Sequence, residues 1–116
     1  MQISQVTIYG VQALRLLAKH SPLGAEQIAM RLDISISYAA KTMRALRIAG
    51  AVQASYGPQG GYTLAAPLEE IALGRLVDAA EGVLPDREGD TKDMASIRRS
   101  LRRLLAQALE EPVANL

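Results

Sequence analysis

Apolar residues at Ile3, Val6, Tyr9, Ala13, Leu16 and Leu17 recur at three- and four-residue steps, the stripe of an amphipathic helix expected over residues 4–19. Lys19 and His20 fall in its last turn, where cations complement the helix dipole, and Ser21-Pro22 ends it. A second, short helix is predicted over 25–32, with Ala25, Ile28, Ala29 and Leu32 on one side and Asp33-Ile34 as the turn beyond. The small Ala29 suits two helices that cross steeply at such a turn. Ser35 is a natural N-cap for a third helix, which has Ala39, Met43 and Leu46 as its inward stripe and Gly50 as its C-terminal cap.

The period then changes. Residues 52–55 and 62–65 read as two short strands, and Gly57-Pro58-Gln59-Gly60-Gly61 supplies the turn between them. Glycine reaches backbone angles closed to other residues, and the proline fixes φ at the corner. Pro67 breaks the second strand, and a fourth helix follows over 73–81, closed by Gly82. Residues 84–93 form a polar, acidic loop. The last helix, from Met94 to about Glu110, is the most regular: Met94, Ile97, Leu101, Leu104 and Ala108 keep the a/d spacing of a helix–helix seam. Leu105 and Leu109 widen the stripe, and Arg98, Arg99, Arg102 and Arg103 line the remainder. Such a stripe fits either a dimerisation seam or a helix folded onto its own domain. The modest core leaves little for so wide a stripe to cover, so dimerisation is the expectation.

A polar-tipped helix followed by a two-stranded ribbon is the layout of a winged helix-turn-helix. The expected fold is mainly α, with a β-hairpin wing and a long C-terminal dimerisation helix. It divides into a DNA-binding part over 1–83, the loop at 84–93 and the helix over 94–116, forming one compact domain. At 116 residues one domain is the expectation, and with neither Phe nor Trp its core must be aliphatic. The net charge of +1 hides an asymmetry. Residues 1–66 carry six cations against two acids, 67–93 carry three against eight, and 94–116 carry four against two. A basic head suits a protein that shows one face to phosphate.

An enzyme is poorly supported, because one histidine and no cysteine leave little for a nucleophile–base pair. No catalytic or metal residue is assigned. His20, the lone histidine, reads as a solvated helix-end residue. Glu69-Glu70 and Asp86, Glu88, Asp90 and Asp93 do not follow a calcium-loop spacing. The glycine turn lacks the Lys-Ser/Thr and helix of a phosphate-binding loop. Without cysteine there is no disulfide, thiolate zinc site or cysteine-ligated cluster, and no cofactor is expected. No apolar run approaches the roughly 18 residues that cross a bilayer, and the N-terminus lacks the order of a secretory signal. A cytoplasmic protein without a membrane partner is the expectation.

Double-stranded DNA is the expected partner. Ser35 and Ser37, at the start of the third helix, can reach base edges or phosphates, and Lys41 can bond a guanine edge or a phosphate. Tyr38 is expected to give its hydroxyl to a phosphate, since its ring is too bulky for the groove floor. Arg44 adds a cation one turn on. Amides at the tip, around Gly57 and Gly60, allow close approach to the sugar–phosphate chain, while Tyr56 or Gln59 can lean into the minor groove. An alternative is a winged-helix module that binds another protein through the acidic middle. A further one is a repressor gated by a small molecule between the fourth helix and the dimer seam.

The order Ile28-Ala29, Ile34-Ser35-Ile36-Ser37-Tyr38, Leu46-Arg47-Ile48-Ala49-Gly50-Ala51-Val52, Gly57-Pro58-Gln59-Gly60-Gly61-Tyr62-Thr63-Leu64-Ala65 resembles the Rrf2 family of bacterial transcription regulators. So does Glu69-Glu70-Ile71-Ala72-Leu73-Gly74 running on to Ala80-Glu81-Gly82. The resemblance covers residues 1–83, and the last helix matches in position and character. It implies a homodimer, probing a pseudo-palindromic operator with two winged heads, and acting as a repressor. It places Ser35, Ser37, Tyr38, Ala40 and Lys41 at the groove-reading positions. Ala40 stands where some members carry an acidic side chain that reads cytosine. Tyr56 stands where the wing usually has an arginine, so the operator sequence of those members does not carry over. Many members hold an iron–sulfur cluster on three cysteines before the last helix, and this chain has none there. It resembles a cluster-free member, which leaves a small effector, a partner protein or no signal.

Overall fold

The computed structural model describes residues 5–81, 89, 91–108 and 112–116. Helices α1 (Gln5–Lys19), α2 (Ala25–Leu32) and α3 (Ile36–Ile48) precede strands β1 (Val52–Ser55) and β2 (Gly61–Leu64). Helices α4 (Leu73–Glu81) and α5 (Lys92–Ala108) follow, with single 3-10 turns at Leu68–Glu70 and Val113–Asn115. The mainly α winged helix-turn-helix expected from the pattern is therefore present.

The core is aliphatic. Ala13, Leu14 and Leu17 of α1 meet Ile28 of α2, Met43 and Leu46 of α3, Leu76 of α4, and Leu23, Val52 and Val113 from the connections and strand. α3 is the central member, packing on α1, α2 and α4. Gly10 permits the close approach of α1, since a Cβ there would lie 3.0 Å from a Leu76 methyl. Val6, Ala13 and Leu17 are buried as expected, but Tyr9 and Leu16 are only half-covered, while Thr7, Gly10 and Leu14 complete the buried face.

The turn between α2 and α3 is made by Asp33 in the left-handed region, at φ 56°. Aspartate tolerates that conformation better than most residues. α3 ends in a paired-bond motif: the Gly50 N–H donates to the Arg47 carbonyl at 3.0 Å and the Ala51 N–H to Leu46 at 2.9 Å. That exit sends the chain directly into β1. The antiparallel register pairs Val52 with Leu64, Gln53 with Thr63, Ala54 with Tyr62 and Ser55 with Gly61. β2 thus starts one residue before the predicted 62–65, because Gly61 pairs with Ser55. Ala65 still donates its N–H to Ala51, at 2.9 Å.

A contact invisible to pattern analysis fixes the wing's base. Leu23, in the loop after α1, bridges Tyr62: the Tyr62 N–H donates to the Leu23 carbonyl at 2.7 Å, and the Leu23 N–H to Tyr62 at 3.2 Å. Gly61 makes this approach possible. Its φ is 141°, and a Cβ there would sit 2.8 Å from the Leu23 carbonyl carbon.

The C-terminal region differs from the sequence reading. α5 begins at Lys92, inside the segment expected as loop, because Thr91 caps it by accepting from the Met94 N–H at 3.2 Å. Residues 112–116 return to the head instead of continuing the helix. The fully buried Val113 gives its N–H to Ile71 at 2.8 Å, and Arg15 donates to the main-chain oxygen of Leu116. Ile3, Ser4, Gly82, most of the acidic loop, Leu109 and Glu110 lie outside the described residues.

Replacing Gly61 by alanine puts a methyl against backbone that cannot yield, in a conformation L residues rarely adopt. A loss of roughly 2–4 kcal/mol is expected, read as a lower urea midpoint. An unchanged midpoint would show that the Leu23–Tyr62 bridge does not hold the wing.

Candidate nucleic-acid interface

Ser35 caps α3 as anticipated. Its Oγ accepts from the Tyr38 N–H at 3.0 Å, and its carbonyl accepts from Ala39 at 2.9 Å. The inward face of α3 is Ala39, Thr42, Met43, Ala45 and Leu46. Thr42 is a polar residue with no exposure, and its hydroxyl is satisfied by donating to the Tyr38 carbonyl at 2.9 Å. Burial of that face turns Ser37, Ala40, Lys41, Arg44, Arg47 and Ile48 to solvent. Ile36, in the first turn, is exposed as well.

Tyr38 is half-buried. Its ring meets Tyr9 of α1 edge to face, with centroids 5.4 Å apart and planes at 83°. Lys41 Nζ stands 5.9 Å from the centroid of the same ring. The Tyr38 ring is therefore engaged within the protein, an arrangement the helical pattern alone did not reveal.

The wing tip spans Tyr56 to Gly60. The Gly60 N–H donates to the Gly57 carbonyl at 3.0 Å, closing the turn, and Tyr56 is 88% exposed beside the exposed Gln59. Gly60 admits no side chain, since a Cβ would lie 2.3 Å from the Ser55 oxygen. Between helix and wing runs a cleft of about 460 Å³ lined by Ala40, Arg44, Arg47, Ile48 and Tyr62. Arg47, Ile48 and Tyr62 were absent from the sequence-derived site. The spacing of Arg47 from Arg44 was a usable signal, whereas the place of Tyr62 depends on hairpin register.

The expected dimerisation residues lie on α5. Met94, Ile97 and Leu101 are 44%, 51% and 45% exposed, and the side chains of Leu104, Leu105 and Ala108 lie outside the described set. A separate, mainly apolar cavity of about 400 Å³ opens between α1 and α4, with Ile8, Val11, Leu73, Val77 and Leu116 among its lining. No described helix is long and apolar enough to cross a membrane.

The family model for Rrf2, described as an iron-dependent transcriptional regulator, matches residues 3–116. Protein rrf2 of Nitratidesulfovibrio vulgaris is 37% identical over 84 residues, which cover 70% of this chain and 56% of that protein. The transcriptional regulator IscR of Cereibacter sphaeroides is 37% identical over 86 residues, again 70% of this chain and 56% of the relative. The chain thus spans a little over half the length of these curated relatives. The solved structure of CymR, the global cysteine regulator of B. subtilis, superimposes with a TM-score of 0.68 at 26% identity, covering 98% of this chain and 94% of that one.

The family description raises the question of iron. The donors do not fit a cysteine-held cluster, because the chain has no cysteine and its lone histidine, His20, is exposed just past α1. Among the described residues no three His, Asp or Glu side chains come together as a metal site.

Ser35→Ala removes the cap of α3 and is expected to lower stability by about 1 kcal/mol. Denaturant titration measures it, and restoration by Ser35→Asp would assign the loss to capping.

Proposed function

The chain belongs to the Rrf2 family, whose members are DNA-binding transcriptional regulators and not enzymes, and we propose that it is a cytoplasmic, homodimeric repressor of a pseudo-palindromic operator. It works without a cysteine-ligated iron–sulfur cluster, since it has no thiolate to supply. The observation that carries this reading is the outward face of α3, where Ser37, Lys41 and Arg44 are exposed opposite a fully buried face and beside the wing.

In this reading α3 enters the major groove by its N-terminal turns. Ser37 and Lys41 reach base edges or phosphates, and Arg44 holds the backbone. Ser35 keeps a hydroxyl proton to donate even while its oxygen caps the helix. Ala40 offers only a methyl group and can make no polar base contact. The wing lies along the flank, with the amides near Gly57 and Gly60 against the sugar–phosphate chain and Tyr56 or Gln59 toward the minor groove. Occupation of the operator then competes with the transcription machinery.

Pairing of two heads runs through α5. The exposed Met94, Ile97 and Leu101 support it, because an apolar stripe facing water is costly until covered. Along the sequence, Leu104, Leu105 and Ala108 keep the spacing of that stripe. A small effector, a partner protein or no signal at all remain the alternatives for its control.

Fragments selected from genomic DNA supply the operator for binding measurements. Affinity should fall as a power of salt concentration set by the phosphates contacted. Lys41→Ala is expected to weaken operator binding by about 1–3 kcal/mol, and Arg44→Ala to reduce the salt slope by about one. Unchanged affinity in both variants would remove α3 as the reading element. Leu101→Glu should yield monomers in sedimentation and weaken operator binding, because half-sites would then be bound singly. A dimer that survives this change would exclude α5 as the seam.

A further inference from the structure

We propose that Tyr9 and Tyr38 form a seat that positions Lys41 for its DNA contact, so that Tyr38 acts through the lysine and not through its own hydroxyl. The proposal rests on the reading of α3 as the DNA-contacting helix.

Tyr38 is held at its N–H, its carbonyl and its ring. Its N–H is bound by the Ser35 hydroxyl and its carbonyl by the buried Thr42 hydroxyl. Its ring is braced edge to face by Tyr9 across the α1–α3 contact, at 5.4 Å and 83°. A ring fixed in plane by a neighbour at right angles presents its electron-rich face in a constant direction. Lys41 lies three residues further along the same helix and places Nζ 5.9 Å from that ring's centroid. At this separation the quadrupole of the ring favours the cation over the face.

The chemical consequence concerns entropy. An exposed lysine has a flexible four-carbon stem whose freedom is lost when Nζ binds one acceptor. A ring that already confines Nζ removes part of that loss before DNA arrives, and preorganisation of this kind raises affinity without adding a contact. Tyr9 then matters to DNA binding although it belongs to α1, outside the reading helix. Tyr38, whose ring lies against α1, also has less freedom to turn its hydroxyl outward than a fully exposed tyrosine.

Two measurements test this. In the free, unaltered chain, ring current should move the Lys41 ε-methylene protons upfield of those of Lys19 and Lys92, and Tyr38→Leu should return them. On a duplex selected by the wild-type chain from a random pool, Tyr38→Leu should lower affinity roughly three- to tenfold. Tyr38→Phe, which keeps the ring, should restore it to within about twofold, and Tyr9→Phe should likewise rescue the loss caused by Tyr9→Leu. In a Lys41→Ala background Tyr38→Leu should cost nothing further. The proposal is overturned if the Lys41 protons are unshifted, if Tyr38→Phe is as damaging as Tyr38→Leu, or if the Tyr38 and Lys41 losses multiply independently. The proton shifts need no DNA and are read on the wild-type fold. Inability of the wild-type chain to select any duplex, with the shifts present, would therefore overturn the DNA reading and not the seat.

Discussion

Ala39, Thr42, Met43 and Leu46 are all withdrawn from water where α3 packs on α1, α2 and α4. Because a helix turns by about 100° per residue, this burial decides which residues of α3 can reach outward. Rotation of the helix by one position would expose Met43 or Leu46 and bury a cation. Each error costs several times the roughly 1 kcal/mol of an ordinary surface contact. Packing of its apolar side holds the outward residues of α3 in a constant direction. Thr42 shows how tightly the polar accounting is kept, since its buried hydroxyl is spent on the Tyr38 carbonyl of the same helix.

The wing inherits its position from the same packing. The Gly50–Ala51 exit turns the chain out of α3 with the Leu46 and Arg47 carbonyls satisfied, and β1 begins at the next residue. At the other end, the Leu23–Tyr62 bridge ties β2 to the loop after α1. The base of the hairpin is thus fixed from two directions while Tyr56 and Gln59 remain at an exposed tip. The hairpin therefore pairs a fixed base with a solvent-facing tip.

The helices and strands were largely legible because each is announced by local chemistry: Ser35 at the cap, Asp33 in the turn, glycines at the hairpin, and apolar steps along α1 and α3. What the sequence could not display were contacts between distant segments. The Leu23–Tyr62 bridge, the return of Val113 to Ile71 and the cleft between Arg47 and Tyr62 all depend on tertiary register. Tyr38 illustrates the difference. Spacing correctly set it off the buried stripe, yet nothing in spacing reveals that Tyr9 would meet its ring. Thr91 was a missed local signal, a threonine followed by an acid in the first turn, read as loop because the surrounding residues are polar.

Family membership carries a description of iron dependence, and this chain has no thiolate with which to hold a cluster. The physical division of the molecule makes that combination intelligible. The outward face of α3 and the wing tip carry serine, tyrosine, lysine, arginine and backbone amides, and their geometry is set by the aliphatic packing of α1, α2, α3 and α4. None of those groups requires a metal to adopt its position or charge. The packing that shapes the outward face of α3 therefore needs no thiolate. The apolar cavity between α1 and α4 shares no lining residue with the cleft beside α3 and the wing. It is walled by α1, the same helix whose Tyr9 braces the Tyr38 ring beside Lys41.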